Sequence, residues 1–300
     1  MPESPFTAGI VVGVDGSAES DAAVRWASRE AALHQVSLRL VHVVNPLVTS
    51  WPMGPMQGNV TDWQQDNASH VLEQARKTVE SCIAEPQFRD VHTEVLQSAV
   101  VPSLVDAAGQ DQLIVVGNRG IGAVGRALLG SVSAGLVHHA QCPVAVVHAD
   151  HLPPADSAAP VLLGIDGSPA SEAAIAVAFE EASRRCVDLV ALHAWSDVAV
   201  FPILGMDWRE YEDQGREILG ERLAGWQQEY PAVRVQRRIV CDQPAHWLIR
   251  ESEHAQLVVV GSHGRGGFAS MLLGSVSSAV AQSVRVPVIV VRGRHSSPQN

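Results

Sequence analysis

Along the whole chain, short β-branched runs alternate with stretches in which apolar residues recur every three or four positions. In the first half the runs are IVVGV at 10–14, VSLRLVHV at 36–43, VHTEVL at 91–96, LIVVG at 113–117 and PVAVVH at 143–148. Helical patterns lie between them, and in one of these Ala68, Val71, Leu72, Ala75, Val79 and Ile83 fall on a single stripe. The second half repeats the alternation with VLLGI at 161–165, DLVALHA at 188–194, VRVQRRIV at 233–240, LVVVG at 257–261 and PVIVVR at 287–292. Apolar strands separated by helices predict right-handed crossovers and a parallel sheet covered on both faces. Each half reads as a Rossmann-like α/β domain with a five-stranded parallel sheet.

The halves are also alike in sequence. VVGVDGSAESDAAVRWA at 11–27 realigns with LLGIDGSPASEAAIAVA at 162–178, which sets Asp15 on Asp166 at an offset of 151. His42 falls on His193 at the same offset, whereas Gly117 falls on Gly261 at an offset of 144, so seven residues are missing between the matched blocks. A tandem repeat of one domain follows. HADHLPPADSAAP at 148–160 carries neither period and reads as the seam. The expected division is a first domain over 1–148, a linker over 149–159 and a second domain over 160–300.

Composition narrows the function. The formal net charge of -11 argues against an electrostatic grip on nucleic acid or anionic lipid. No apolar run has the length of a membrane span, and MPESPFTAGIVVGVDG lacks the basic start of a signal peptide. Cys82, Cys142, Cys186 and Cys241 form no close pair, and their apolar or amphipathic neighbours predict buried, reduced thiols and a cytoplasmic setting. No metal-ligand spacing occurs among the 13 histidines.

The candidate chemistry lies in GNRGIGAVGRALLGSVS at 117–133 and its repeat GSHGRGGFASMLLGSVS at 261–277. GIGAVG at 120–125 has the dinucleotide-binding spacing but follows the fourth strand rather than the first, so that reading fails. GRALLGS at 125–131 has Walker-spaced glycines, but Ser131 stands where the lysine must be. Both halves share a stricter pattern: Gly, two residues, Gly, nine residues, then Gly-Ser-Val-Ser. The first half supplies Gly117, Gly120, Gly130, Ser131, Val132 and Ser133, and the second Gly261, Gly264, Gly274, Ser275, Val276 and Ser277. Gly117 and Gly261 are expected to let a sugar or phosphate approach the strand end, where no Cβ intervenes. The Gly-Ser-Val-Ser segment is expected to open a helix whose first N–H groups attract an anion, with two hydroxyls adding neutral hydrogen bonds. Ordinary N-caps at Ser131 and Ser275, and ordinary strand-end turns at the glycines, are the competing reading.

These glycine spacings, the aspartate ending strand one and the two-fold repeat resemble the universal stress protein family, in the tandem form common in mycobacteria. The resemblance covers nearly the whole chain outside the seam and termini. It implies a strand order of 3-2-1-4-5 and ATP held across the strand carboxyl ends. By position, Gly13, Val14 and Asp15 would meet base and ribose, as would Gly164, Ile165 and Asp166. Val43 and Ala194 would offer backbone to the adenine edge. Val116, Gly117 and Gly120, with Val260, Gly261 and Gly264 in the second half, would line ribose and α-phosphate. The Gly130–Ser133 and Gly274–Ser277 segments would hold the outer phosphates. ATP at two sites per chain, with Mg²⁺ accompanying the nucleotide, is the implied cofactor set. The first half departs from the family's Gly-Ser-His-Gly at Asn118 and Arg119, which predicts altered affinity. Arg119, Arg126 and Arg265 are read as solvated charges and kept out of the site.

Other residues invite less. Asp15 and Asp166 lack the acidic pair and lysine of a phospho-acceptor site, and DGS also suits a helix cap at Ser17 or Ser168. His42 and His193 have no nucleophile or carboxylate partner and are expected to be packed, hydrogen-bonded histidines. The loop at 45–60 with Trp51, Met53 and Met56 suits a lid or an interface as well as a local apolar cluster, and its similarly apolar counterpart at 196–206 mildly favours an interface. The family covers its Val-rich fifth strands by pairing them, which implies a pseudo-dimer within the chain and a homodimer of chains. The expected function is an ATP-binding, nucleotide-dependent regulator of stress response or growth acting on an unidentified protein partner. A slow ATPase or phosphotransferase at the same sites, and a nucleotide-free interaction scaffold, are the alternatives, and no catalytic residue is identified.

Overall fold

The computed structural model describes residues 8–45, 56–83, 90–109, 112–120, 129–194, 208–264 and 273–293. The chain forms two compact units that meet in sequence at Leu152 and Pro153. Of the segments expected as loops, residues 46–55, with Trp51 and Met53, and 196–206 lie outside the described residues, as do Arg126 and Arg265, whereas 56–60, with Met56, are helical.

In the first unit β1 (Ile10–Gly13), α1 (Ala18–His34), β2 (Leu38–Val44), α2 (Met56–Cys82), β3 (Val91–Gln97), α3 (Val100–Ala107), β4 (Leu113–Gly117), α4 (Ser131–His139) and β5 (Val144–Val147) follow in turn. The sheet runs β3-β2-β1-β4-β5. Every pairing is parallel, with Ile10 opposite Leu38 on one side and Leu113 on the other. This is the expected doubly wound α/β order, with the switch point between β1 and β4. Helices α1 and α2 pack together on one face, and α3 with α4 on the other.

The second unit repeats this with β6 (Val161–Ile165), α5 (Pro169–Arg185), β7 (Leu189–Ala194), α6 (Trp208–Glu229), β8 (Val235–Val240), α7 (Pro244–Glu251), β9 (Leu257–Gly261), α8 (Ser275–Ser283) and β10 (Val288–Val291). Its order is β8-β7-β6-β9-β10, again all parallel, with Val161 opposite Leu189 and Leu257. The seam holds a single 3-10 turn at Ala149–His151, and its end is tied to the second unit where Gln256 Nε2 donates to the carbonyls of Ser157 and Ala159.

Local chemistry explains these elements. Of the six apolar residues on the predicted α2 stripe, five are buried: Ala68, Val71, Leu72, Ala75 and Val79. Ile83 lies one residue past the helix end, its N–H still bonded to the Val79 carbonyl. The first helix of each unit starts on a serine cap, Ser17 Oγ accepting from Ser20 N and Ser168 Oγ from Ser171 N. Each ends on a left-handed residue, Gln35 at φ 57° and Cys186 at φ 53°, and this helix-end position leaves Cys186 exposed, so of the four cysteines expected to be buried only Cys142 is. The β3 and β8 strands have no fully buried residue and carry polar side chains such as His92, Thr93, Arg237 and Arg238, which discourages further strand pairing.

Gly117 and Gly261 are fixed by packing. A Cβ on Gly117 would sit 2.7 Å from the Glu19 carbonyl carbon in the first turn of α1, and one on Gly261 would sit 2.8 Å from that of Ala170 in α5. The space expected to admit a ligand is filled by helix backbone, which cannot step aside. Gly225, inside α6, has nothing within 4 Å of a Cβ. Gly117→Ala and Gly261→Ala should therefore each cost about 2 kcal/mol or more. Gly225→Ala should stabilise by about 0.5–1 kcal/mol. Thermal and denaturant melts of the three variants check both signs.

Candidate functional site

The carboxyl ends of β1, β2 and β4 carry the predicted residues. Gly13 is the last residue of β1, with Val14 and Asp15 next; Val43 is the penultimate residue of β2; Val116 and Gly117 close β4. In the second unit Gly164 and Ile165 close β6, Ala194 ends β7, and Val260 and Gly261 end β9. The parallel sheet thus delivers all of them to one rim, alongside the start of the helix after β4.

The aspartates serve the turn before the first helix. Asp15 Oδ1 accepts from Ser17 N and Asp166 Oδ1 from Ser168 N, each at 2.9 Å. The intervening glycines, Gly16 at φ 85° and Gly167 at φ 84°, take a conformation that disfavours a side chain. The helix-capping role of DGS is therefore realised by Ser17 and Ser168, with the aspartates fixing the turn just upstream. The other carboxylate oxygen faces the glycine loop: a Cβ on Gly120 would overlap Asp15 Oδ2, and one on Gly264 would overlap Asp166 Oδ2. The loop's second glycine is what brings the loop against the aspartate.

The histidines at the β2 and β7 ends behave as expected. His42 Nδ1 lies 2.7 Å from the Val14 carbonyl, and His193 Nδ1 lies 2.8 Å from the Ile165 carbonyl. A carbonyl only accepts, so Nδ1 carries the proton in both, and the ring braces neighbouring strand ends. Gly13 and Gly164 also serve packing, since a Cβ there would press on Val116 and Leu104, or on Leu248 and Val260.

The start of the later helix separates the roles of its two serines. Gly130 and Gly274 occupy the N-cap positions, with no side-chain cap bond, so Ser131 and Ser275 stand one residue inside. Both are exposed. Ser133 and Ser277 are buried instead, and their hydroxyls point inward. Ser133 Oγ donates to the carbonyls of Asn118 (2.9 Å) and Gly130 (3.0 Å), and Ser277 Oγ to that of Gly261. Only one hydroxyl of each expected pair is thus exposed; the inner one locks the loop to the helix. The loop is held further by Gly130 N on the Asn118 carbonyl and Gly274 N on the Ser262 carbonyl, both at 2.7 Å. The uncapped helix N-terminus at the rim carries partial positive charge and favours an anion.

Sequence reading missed the supports. Ser20 Oγ accepts from Asp15 N and Ser171 Oγ from Gly167 N, and Ser168 Oγ donates to the His263 carbonyl. Their signal was present, since Ser20 and Ser171 match across the repeat, but a small polar residue in a first helical turn has many ordinary reasons.

Comparison with known proteins agrees with this architecture. The pattern of the Universal stress protein family matches residues 9–148 and again 159–292. A universal stress protein of Mycolicibacterium smegmatis is 58% identical over 98% of this chain and 100% of its own length. Universal stress protein Rv2623 of Mycobacterium tuberculosis is 52% identical over 97% of this chain and 99% of its own. The crystal structure of a universal stress protein from Archaeoglobus fulgidus covers 95% of this chain and 98% of its own with a TM-score of 0.70 at 21% identity, a likeness of fold.

The two serine positions should respond differently to truncation. Ser133→Ala and Ser277→Ala each remove buried hydrogen bonds and should lower stability by about 1–2 kcal/mol. Ser131→Ala and Ser275→Ala, on exposed positions, should change it by less than about 0.5 kcal/mol. Urea midpoints of the four variants decide; equal effects at both positions would contradict the division of roles.

Proposed function

The chain belongs to the universal stress protein family, and on that premise we propose that each of its two domains binds ATP at the strand rim and that the protein is a nucleotide-dependent regulator. The observation that carries this is the contrast between helix starts. The helices after the first strand are closed by serine side chains, whereas α4 and α8 begin on a bare glycine with no side-chain cap, facing the rim. An anion supplies what the missing cap does not. Phosphate oxygens there would meet N–H groups of Ser131, Val132 and Ser133, or of Ser275, Val276 and Ser277, with the Ser131 or Ser275 hydroxyl beside them. Ribose would lie toward Asp15 or Asp166, and adenine toward Val43 or Ala194. Mg²⁺ travels with the phosphates. At the second rim Ser262 Oγ lies 2.9 Å from His263 Nδ1, but Ser262 is buried, so this pair does not present a nucleophile to the phosphates.

Regulation follows by linkage. A nucleotide shifts an equilibrium between assembly or partner-binding states only by the difference in its affinity for them. Among the described residues no helix is long and apolar enough to cross a membrane. A cytosolic homodimer that engages a protein partner is the setting this reading calls for.

A test must spare the fold, which excludes Gly117 and Gly261. Ser131→Asp with Ser275→Asp meets the condition: a carboxylate in a first helical turn favours the helix by about 0.3–1 kcal/mol yet repels phosphate. The wild-type chain, denatured after purification or after incubation with ATP, should release close to two nucleotides. The double variant should retain less than about a tenth of that at an unchanged or higher melting temperature. Equal nucleotide content in variant and wild type would reject the phosphate assignment. No ATP bound by the wild type would leave the interaction scaffold, and ADP in place of ATP would favour slow hydrolysis.

A further inference from the structure

The two rims share a backbone but differ in charge. In the first domain the loop places Arg119 after Asn118, whose backbone is fixed from three sides. Asn118 N donates to the Val147 carbonyl (2.8 Å), and its own carbonyl accepts from Gly130 N (2.7 Å) and Ser133 Oγ (2.9 Å). This sets Arg119 at the mouth of α4, its Cα 3.1 Å from where a Cβ on Gly130 would be. The side chain is only 19% exposed, so the solvated charge expected from sequence is not what the structure shows. Arg119 Nη2 lies 3.7 Å from Oε1 of Glu19, a carboxylate 24% exposed in the first turn of α1. That distance is beyond hydrogen-bonding range, so the pair is a Coulombic contact only.

The second domain has neither partner. Ala170 occupies the place of Glu19, and His263 that of Arg119, with its Nδ1 2.9 Å from Ser262 Oγ. Among the described residues, the first domain thus sets a guanidinium and a competing carboxylate between the aspartate turn and an uncapped helix start, whereas in the second the guanidinium over the aspartate turn is Arg222, hydrogen-bonded to Glu172.

We infer that Arg119 and Glu19 make the first site select for ligand charge, with the phosphates of a nucleotide replacing Glu19 at the guanidinium. This rests on the nucleotide reading given above. Guanidinium and helix N-terminus are both positive, and together they favour an anion more highly charged than one carboxylate. A triphosphate reaches the guanidinium with several negative charges and short charge-assisted bonds. A monophosphate offers less and displaces Glu19 poorly. Glu19, already partly exposed, turns to water when displaced. In the second site Arg222 is already hydrogen-bonded to Glu172, so a phosphate gains less there and that site distinguishes the two ligands less.

The experiment is calorimetric titration of the full chain, stripped of nucleotide, with ATP and separately with AMP. Arg119→Gln should weaken one of the two ATP-binding steps about tenfold, leave the other unchanged, and alter AMP binding less than about threefold. Glu19→Gln, which removes the competitor and keeps the side chain's shape, should tighten that same ATP step about threefold. Opposite signs for the two variants are the signature. If both weaken ATP, the pair merely props the loop and the inference is wrong. If the wild type binds ATP while both variants match it, the inference alone fails. A wild type that binds no ATP ends the nucleotide reading as well.

Discussion

Everything at the rim depends on how closely the end of strand four passes the first turn of the helix after strand one. Gly117 lies against the backbone of Glu19, and Gly261 against that of Ala170, so tightly that no Cβ fits. Because that approach is backbone on backbone, it is rigid and sets everything downstream. It lays Gly120 and Gly264 against the carboxylates of Asp15 and Asp166. It hands the chain to Asn118 and Ser262, whose carbonyls receive Gly130 and Gly274 and so orient the helix start. The rim is thus assembled from contacts within the chain itself.

The strand runs, the repeat and the parallel order could be read from sequence because apolar periodicity reports burial, and burial dominates the fold. The site was legible as a spacing but not as a set of reasons. A glycine announces that a side chain is forbidden, not what forbids it. At Gly117 the neighbour is a helix rather than a sugar, and sequence cannot distinguish the two. Ser131 and Ser133 look equivalent in a Gly-Ser-Val-Ser string, yet two residues around a helix turn one outward and the other onto the Asn118 carbonyl. Arg119 looked solvated because most loop arginines are; the carboxylate it faces, Glu19, lies a hundred residues earlier in the chain.

The two domains diverge where side chains meet this shared backbone. Above the Gly16 turn lies Val71, whereas Arg222 lies above Gly167 and pairs with Glu172. Asp21, which aligns with Glu172, instead accepts a hydrogen bond from Thr78 at 2.7 Å. In both domains a carboxylate in the first helical turn is latched to the next helix, by a neutral donor in one and a cation in the other. The latch holds the turn that carries the aspartate, so its replacement changes local charge without moving the backbone. With Arg119 and His263 at the loop, each rim presents a different electrostatic surface on the same geometry.

Duplication with this kind of divergence has a thermodynamic consequence. Two identical sites respond to a ligand over one concentration range, and their occupancies rise together. Sites that differ in charge but share a backbone fill over separate ranges, and each range moves with the charge of the nucleotide offered. Under the proposed reading, the first domain would report mainly the triphosphate, and the second would answer more evenly to adenine nucleotides of lower charge. The chain as a whole would then register the proportion between them as well as the amount. Such a response needs no catalytic group at the rim. It needs only that the two domains' ligand-bound states bias a common partner or assembly surface unequally, since any shift is bounded by differential affinity.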